Sequence, residues 1–131
     1  MPGERLRFYW EGPAIWCALR PLASMFLEEG IAVVASTYGP NYVFDGFQKE
    51  NPIESMAAAY TSLYPNRSRE QKVQYLAREF RRYGVDAAIF HDARTCPEHS
   101  TSRHGVHLRL RRDTGVPPPV LEGDTPDLRL V

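Results

Sequence analysis

Short runs of β-branched and aromatic residues alternate along the chain with stretches whose apolar residues recur at helical spacing. That alternation predicts a parallel α/β sheet rather than a bundle or a sandwich. Arg5 to Trp10 reads as a first strand, ending at Glu11-Gly12-Pro13. Leu19, Leu22, Ala23, Phe26 and Leu27 then fall on one helical face between Trp16 and Glu29, and Gly30 supplies the stop. An interior proline removes a hydrogen bond and clashes with the preceding turn, so Pro21 means that this helix either starts near Arg20 or kinks. Ile31 to Ser36 is a continuous apolar run, the pattern of a strand buried on both faces.

The connection from Thr37 to Asn51 carries Tyr38, Tyr42, Phe44 and Phe47, an aromatic load that suits binding or packing against a partner. Met56, Ala59, Tyr60 and Leu63 form a helical face after Pro52, and the capping-box pattern Ser68-Arg69-Glu70-Gln71 opens a further helix. Its apolar face is Val73, Leu76, Ala77 and Phe80, and it ends near Gly84. Val85 to Phe90 reads as a third strand, His91 to Pro97 as a loop, and Ser100 to Arg112 as a helix that Gly105 weakens. Val116 to Leu121 reads as a short fourth strand, which the prolines at 117 to 119 push to an edge. Residues 1–131 are thus expected to form a single α/β domain: a small open parallel sheet of about four strands with helices on both faces, flavodoxin- or Rossmann-like.

Composition leaves this picture intact and narrows the partners. Of 131 residues, 43% are hydrophobic and 24% charged, the balance of a globular chain with a normal core. Sixteen basic and sixteen acidic side chains cancel, so no global field draws the protein onto nucleic acid or an anionic membrane. No apolar run approaches the roughly 18 residues of a membrane span, and the N-terminal MPGERLRF is charged where a signal peptide is apolar. Two cysteines, Cys17 and Cys96, are too few for a disulfide framework. The expectation is a cytoplasmic protein with reduced thiols and no nucleic-acid or membrane partner.

Ligands of open parallel sheets bind outside the carboxyl ends of the strands. The loops placed there are Glu11-Gly12-Pro13, Ser36 to Gly39, His91 to Cys96, and Glu122-Gly123-Asp124. The third is the richest, since His91 has the chemistry of a base or ligand, Asp92 and Arg94 can pair, and Cys96 is either a nucleophile or a metal ligand. An ordinary thiol is the competing reading of Cys96. Strand-end placement nominates Gly12, Pro13, Trp16, His91, Glu122 and Asp124 as residues shaping a substrate pocket. Cys17, beside an apolar helix face, reads as a small packed apolar residue. His99, His104 and His107, with Arg103, Arg109, Arg111 and Arg112, read as a solvated basic face more readily than as a phosphate site. No GxGxxG, GxxxxGK, HExxH, CxxC or GxSxG pattern is present.

The runs RFYWEGPAIWCALRPLASMFLEEGIAVVASTY, NPIESMAAAYTSLYPNRS, FHDARTCPEHSTSRHG and VLEGDTPDLRL resemble the benzoyl-CoA reductase and 2-hydroxyacyl-CoA (2-hydroxyglutaryl-CoA) dehydratase family over nearly the whole chain. HDARTC and ESMA…Y…NRS are the most specific and sit closest to the benzoyl-CoA reductase branch. The resemblance is to the C-terminal α/β domain of a cluster-bearing subunit. It implies a [4Fe-4S] cluster held by three cysteine thiolates, two from an N-terminal domain not present in these 131 residues and one matching Cys96. The remaining iron position is then left for water or substrate. It further implies an acyl-CoA substrate, a second family subunit, and an ATP-hydrolysing iron–sulfur activator that delivers low-potential electrons for ring reduction, as in anaerobic aromatic degradation, or for 2-hydroxyacyl-CoA dehydration. The chain lacks the other two cluster cysteines, HGVHLRL departs from the family pattern, and no helix follows the helix-start-like Thr125-Pro126-Asp127. Two other readings stand beside it: a non-catalytic α/β module that keeps the fold without a cluster and binds a partner through Tyr38 to Phe47, and a stand-alone enzyme built on a Cys96–His91 thiol–imidazole pair.

Overall fold

The computed structural model describes residues 3–43 and 45–123. Strands β1 (Leu6–Glu11), β2 (Ile31–Ser36), β3 (Ala87–Ala93) and β4 (Val120–Gly123) form one parallel sheet in the order β2-β1-β3-β4. The helices are α1 (Leu19–Glu28), α2 (Pro52–Ser62), α3 (Arg69–Tyr83) and α4 (Val106–Thr114). After β2 the chain crosses over to the far side of β1, so the connections leaving β1 and β3 diverge at their carboxyl ends. Among the described residues no helix is long and apolar enough to cross a membrane.

The period-two alternation of β1 divides the molecule into two layers. Phe8 and Trp10 face α1: Phe8 packs on Phe26 with ring centroids 6.4 Å apart, and Trp10 joins Ile15, Ala18 and Leu22 in a small cluster. Tyr9 points the other way into the larger core, where Ala88 and Phe90 of β3 meet Val73, Leu76 and Phe80 of α3 and Val106 and Leu110 of α4. Helices therefore cover both faces, as the pattern predicts. In β2 the register skips Val34, so Val34 and Ala35 both pack against the larger core. β2 is an edge strand with partly exposed residues throughout, not the strand buried on both faces that its apolar run suggests.

Local chemistry sets the boundaries. Leu19 opens α1 after a short 3-10 turn over Trp16–Ala18, which leaves Pro21 in the first turn, where its missing N–H has no intrahelical partner to lose. Ser68 caps α3 reciprocally: its Oγ accepts from the Gln71 amide at 3.3 Å and its amide donates to Gln71 Oε1 at 2.9 Å. Gly84, left-handed at φ 57°, ends that helix.

Three expected boundaries change. β3 begins at Ala87 and continues through Ala93, which draws His91 and Asp92 out of the expected loop and into the sheet. β4 is Val120–Gly123, because Pro117 and Pro119 offer carbonyls to the amides of Ala88 (3.1 Å) and Phe90 (2.9 Å) but have no N–H to return. The single helix expected from Ser100 to Arg112 is broken at Gly105, whose φ of 71° separates a 3-10 turn at Thr101–His104 from α4. Asp124 and the helix-start pattern at Thr125-Pro126-Asp127 lie outside the described residues.

Candidate functional site

Directly after β1 the chain turns at Gly12 with φ 99°, where a Cβ would sit 2.3 Å from the carbonyl oxygen of His91. Only glycine allows β1 and β3 to approach this closely at their carboxyl ends. The next residue fixes the turn: the Pro13 carbonyl accepts from Trp10 Nε1 at 3.0 Å and from His91 Nδ1 at 2.6 Å. That bond assigns the proton to Nδ1, and the buried Nε2 has no hydrogen-bond partner. The Gly12 amide donates to Thr37 Oγ1 at 3.1 Å and ties the turn to the connection after β2. Gly12, Pro13 and His91 thus form a rigid frame for the strand ends.

Cys96 follows β3 in a tight turn, its amide donating to the Ala93 carbonyl at 3.2 Å. The buried Ser100 hydroxyl lies 2.8 Å from Ala93 O and 2.9 Å from Cys96 O, sharing its proton between the two ends of this turn. The thiol is half-buried and in no disulfide. With Nδ1 committed to Pro13 and Nε2 unpartnered, His91 makes no hydrogen bond to Cys96, and the thiol–imidazole pair is not formed. Cys17 is exposed on the turn before α1, so it is not the packed apolar residue its sequence position suggests.

Aromatic rings wall the same face. Trp16 meets Tyr38 edge-on at 5.3 Å, and Tyr38 meets Tyr42 at 5.1 Å and His99 at 6.3 Å. Trp16 and Tyr38 also border an apolar pocket of about 410 Å³ that runs toward Trp10, Leu22 and Phe26. Beyond β3, Asp92 accepts a very short hydrogen bond from Ser102 Oγ, and Arg103 lies 4.0 Å from Asp92 and 3.5 Å from Glu122. Asp92 is therefore held by Ser102 and Arg103 rather than by the expected Arg94, and Glu122 sits in β4 with most of its side chain exposed. The basic residues Arg109 and Arg112 pair with Glu70 and Asp113, each at 2.8 Å, the arrangement of a solvated charged face.

A second group of polar residues, Glu11, Tyr64, Lys72 and Thr101, lies beneath this face, and of it only Glu11 belongs to a strand-end loop expected from the sequence. Glu11 is completely buried, and neither carboxylate oxygen has a hydrogen-bond partner. The buried hydroxyls of Tyr64 and Thr101 act on it without closing bonds of normal geometry. Burial pushes its carboxyl up to about 8; those hydroxyls pull it down, the Asp92 charge pushes it up, and the Lys72 charge pulls it down. Lys72 is also lowered by burial, offset by Glu11 and Glu98. The available signal was the alternation of β1, since Glu11 shares the face of Tyr9 and so must point into the helix-covered layer.

Among the described residues no group of three or more His, Cys, Asp or Glu side chains is placed to hold a metal ion. Cys96, on the turn after β3, is a single soft sulfur donor: it fits as one ligand of a shared iron–sulfur centre and is insufficient to hold one.

Similarity to known proteins runs along nearly the whole chain. It is 28% identical over 98% of its length to a benzoyl-CoA reductase chain of Thauera aromatica, and 26% identical over 97% to the alpha chain of lactoyl-CoA dehydratase of Anaerotignum propionicum. The (R)-phenyllactyl-CoA dehydratase alpha subunit of Clostridium sporogenes is 28% identical over 96% of the chain. These matches cover 31%, 30% and 30% of the respective relatives, so the chain spans about a third of their length. The family model described as 2-hydroxyglutaryl-CoA dehydratase, D-component, matches residues 1–130, and the chain belongs to that family.

Proposed function

We propose that the chain is the C-terminal α/β domain of a benzoyl-CoA reductase- or dehydratase-type subunit, contributing the Cys96 thiolate to a [4Fe-4S] cluster whose other cysteines lie outside these 131 residues. The observation that carries the reading is the placement of Cys96: it follows the carboxyl end of β3, half-buried on a turn stapled by Ser100, whereas Cys17, in the connection after β1, is exposed. When bound, such a cluster supplies single electrons and an open iron position. The residues of this chain do the rest of the work. Gly12, Pro13 and His91 frame the strand ends, Ser100 fixes the cysteine turn, and the apolar pocket beside Trp16 suits the hydrocarbon part of an acyl-CoA thioester. Glu122, exposed on β4, and Asp124, two residues further along the sequence, complete the strand-end set. A second family subunit and an ATP-hydrolysing iron–sulfur activator complete the assembly.

A second reading, a partner-binding module without a cluster, is favoured by the exposed Tyr42, Val43, Ile53, Met56 and Tyr60 along the connection and α2. Anaerobic isolation of the native assembly decides between them. An iron–sulfur electron paramagnetic resonance signal in complexes that contain this chain supports the first reading. Stoichiometric partner polypeptides without iron support the second.

A further inference from the structure

Among the described residues Glu11 is a wholly buried carboxyl whose two oxygens have no hydrogen-bond partner. A carboxylate removed from water without a paired cation or hydrogen-bond donors is strongly disfavoured, so such a group stays neutral by holding a proton. Glu11 meets every condition: no exposure, two unpartnered oxygens and no ion pair within 4.0 Å among the described residues. Polar groups surround it from several elements. Tyr64 faces it from the turn before α3, Lys72 from α3, Asp92 from β3 and Thr101 from the turn before α4, while Tyr9 shares its strand face. The hydroxyls of Tyr9, Tyr64 and Thr101 are likewise buried and unpartnered. Lys72 couples electrostatically to Glu11 on one side and to Glu98 and His99 of the cysteine turn on the other.

We propose that Glu11 is a proton-holding residue of the strand-end site: it keeps a proton in the buried polar cluster it forms with Tyr64, Thr101 and Lys72, and exchanges it with a base on an acyl thioester bound at the Cys96 face. The inference rests on the functional reading above. In the exchange the Glu11 O–H bond breaks, an O–H or C–H bond forms at the base, and no electron changes hands. The carboxylate left behind faces the Lys72 ammonium and the two hydroxyls, all of which favour its charge, and a proton from water restores the acid.

Infrared titration of the purified protein labelled with carboxyl-13C glutamate tests the proposal without any cluster. A protonated-acid carbonyl band should persist at neutral pH, shift in deuterium oxide, disappear as pH rises through about 8, and be missing from Glu11→Gln. Lys72→Met, which removes the nearby cation, should move the loss of the band to higher pH. Absence of the band at neutral pH, or an unmoved titration in Lys72→Met, overturns the proposal. In the assembled complex Glu11→Gln, which has no acid proton to give, should lower activity at every pH, and unaltered activity also overturns it. A complex without iron or activity, with the band titrating as stated in the purified protein, defeats the functional reading and with it the exchange partner, leaving a proton-holding Glu11 alone.

Discussion

On the α3–α4 side of the sheet Leu76, Phe90 and Leu110 are wholly buried; on the α1 side Leu19, Met25, Leu27 and Val33 remain 45%, 44%, 61% and 44% exposed. Most of the buried acid and hydroxyl groups sit on the α3–α4 side too: Glu11, Thr101, Asp92 and Ser102 lie inside this closed side, whereas the open side holds His91 against Trp10 and presents apolar surface and aromatic rings. A closed layer dense in buried apolar contacts can tolerate the cost of an unpartnered carboxyl, and it places that carboxyl under the strand ends. The open layer has surface left for a neighbour to cover. Stability and proton chemistry therefore sit on one side of the sheet, and contact surface on the other.

The comparison can be broken at four points. Phe90→Ala on the closed side should cost about 3–5 kcal/mol in urea denaturation, whereas Leu27→Ala on the open side should stay within about 0.5 kcal/mol; equal losses would erase the distinction. Next comes the carboxyl itself. Between the ordinary value of 4.5 and the folded value of about 8, the folded chain keeps a proton that the unfolded chain has lost, so stability should fall as pH rises through that window. The fall should be a few kcal/mol in total, at no more than about 1.4 kcal/mol per pH unit. Glu11→Gln should flatten the slope in denaturation curves taken at either end of the window. Gly12→Ala should cost about 1–3 kcal/mol for its left-handed backbone alone, with a further loss from the 2.3 Å approach to His91 O. The smallest effect is at Ser68→Ala, which removes one half of a capping box on the closed layer and should lower the thermal midpoint through a loss of about 1 kcal/mol.

Four parallel strands, their helical covers and the Ser68 cap were legible in the sequence because period and capping are local signals. What the sequence hid was set by tertiary contacts. His91 looks like a loop residue after an apolar run, yet the Pro13 carbonyl and the pairing of Asp92 with Glu122 extend β3 past it. The prolines before Val120 read as strand, but they can only accept hydrogen bonds. β2 looks buried on both faces because composition carries no information about which strand ends up at an edge. Cys96 stands out in sequence as a lone thiol in a polar loop. Glu11, by contrast, is one more acidic residue until Tyr64, Lys72 and Thr101, distant in the chain, close around it.

The central claim is that Cys96, and not Cys17, supplies a thiolate to an iron–sulfur cluster in an assembly larger than this chain. Its most direct measurement is the iron content of the anaerobically purified complex carrying Cys96→Ser or Cys17→Ser, with complex assembly checked by mass. The account predicts loss of iron with Cys96→Ser and full iron with Cys17→Ser. Full iron in both variants of an intact complex would contradict it.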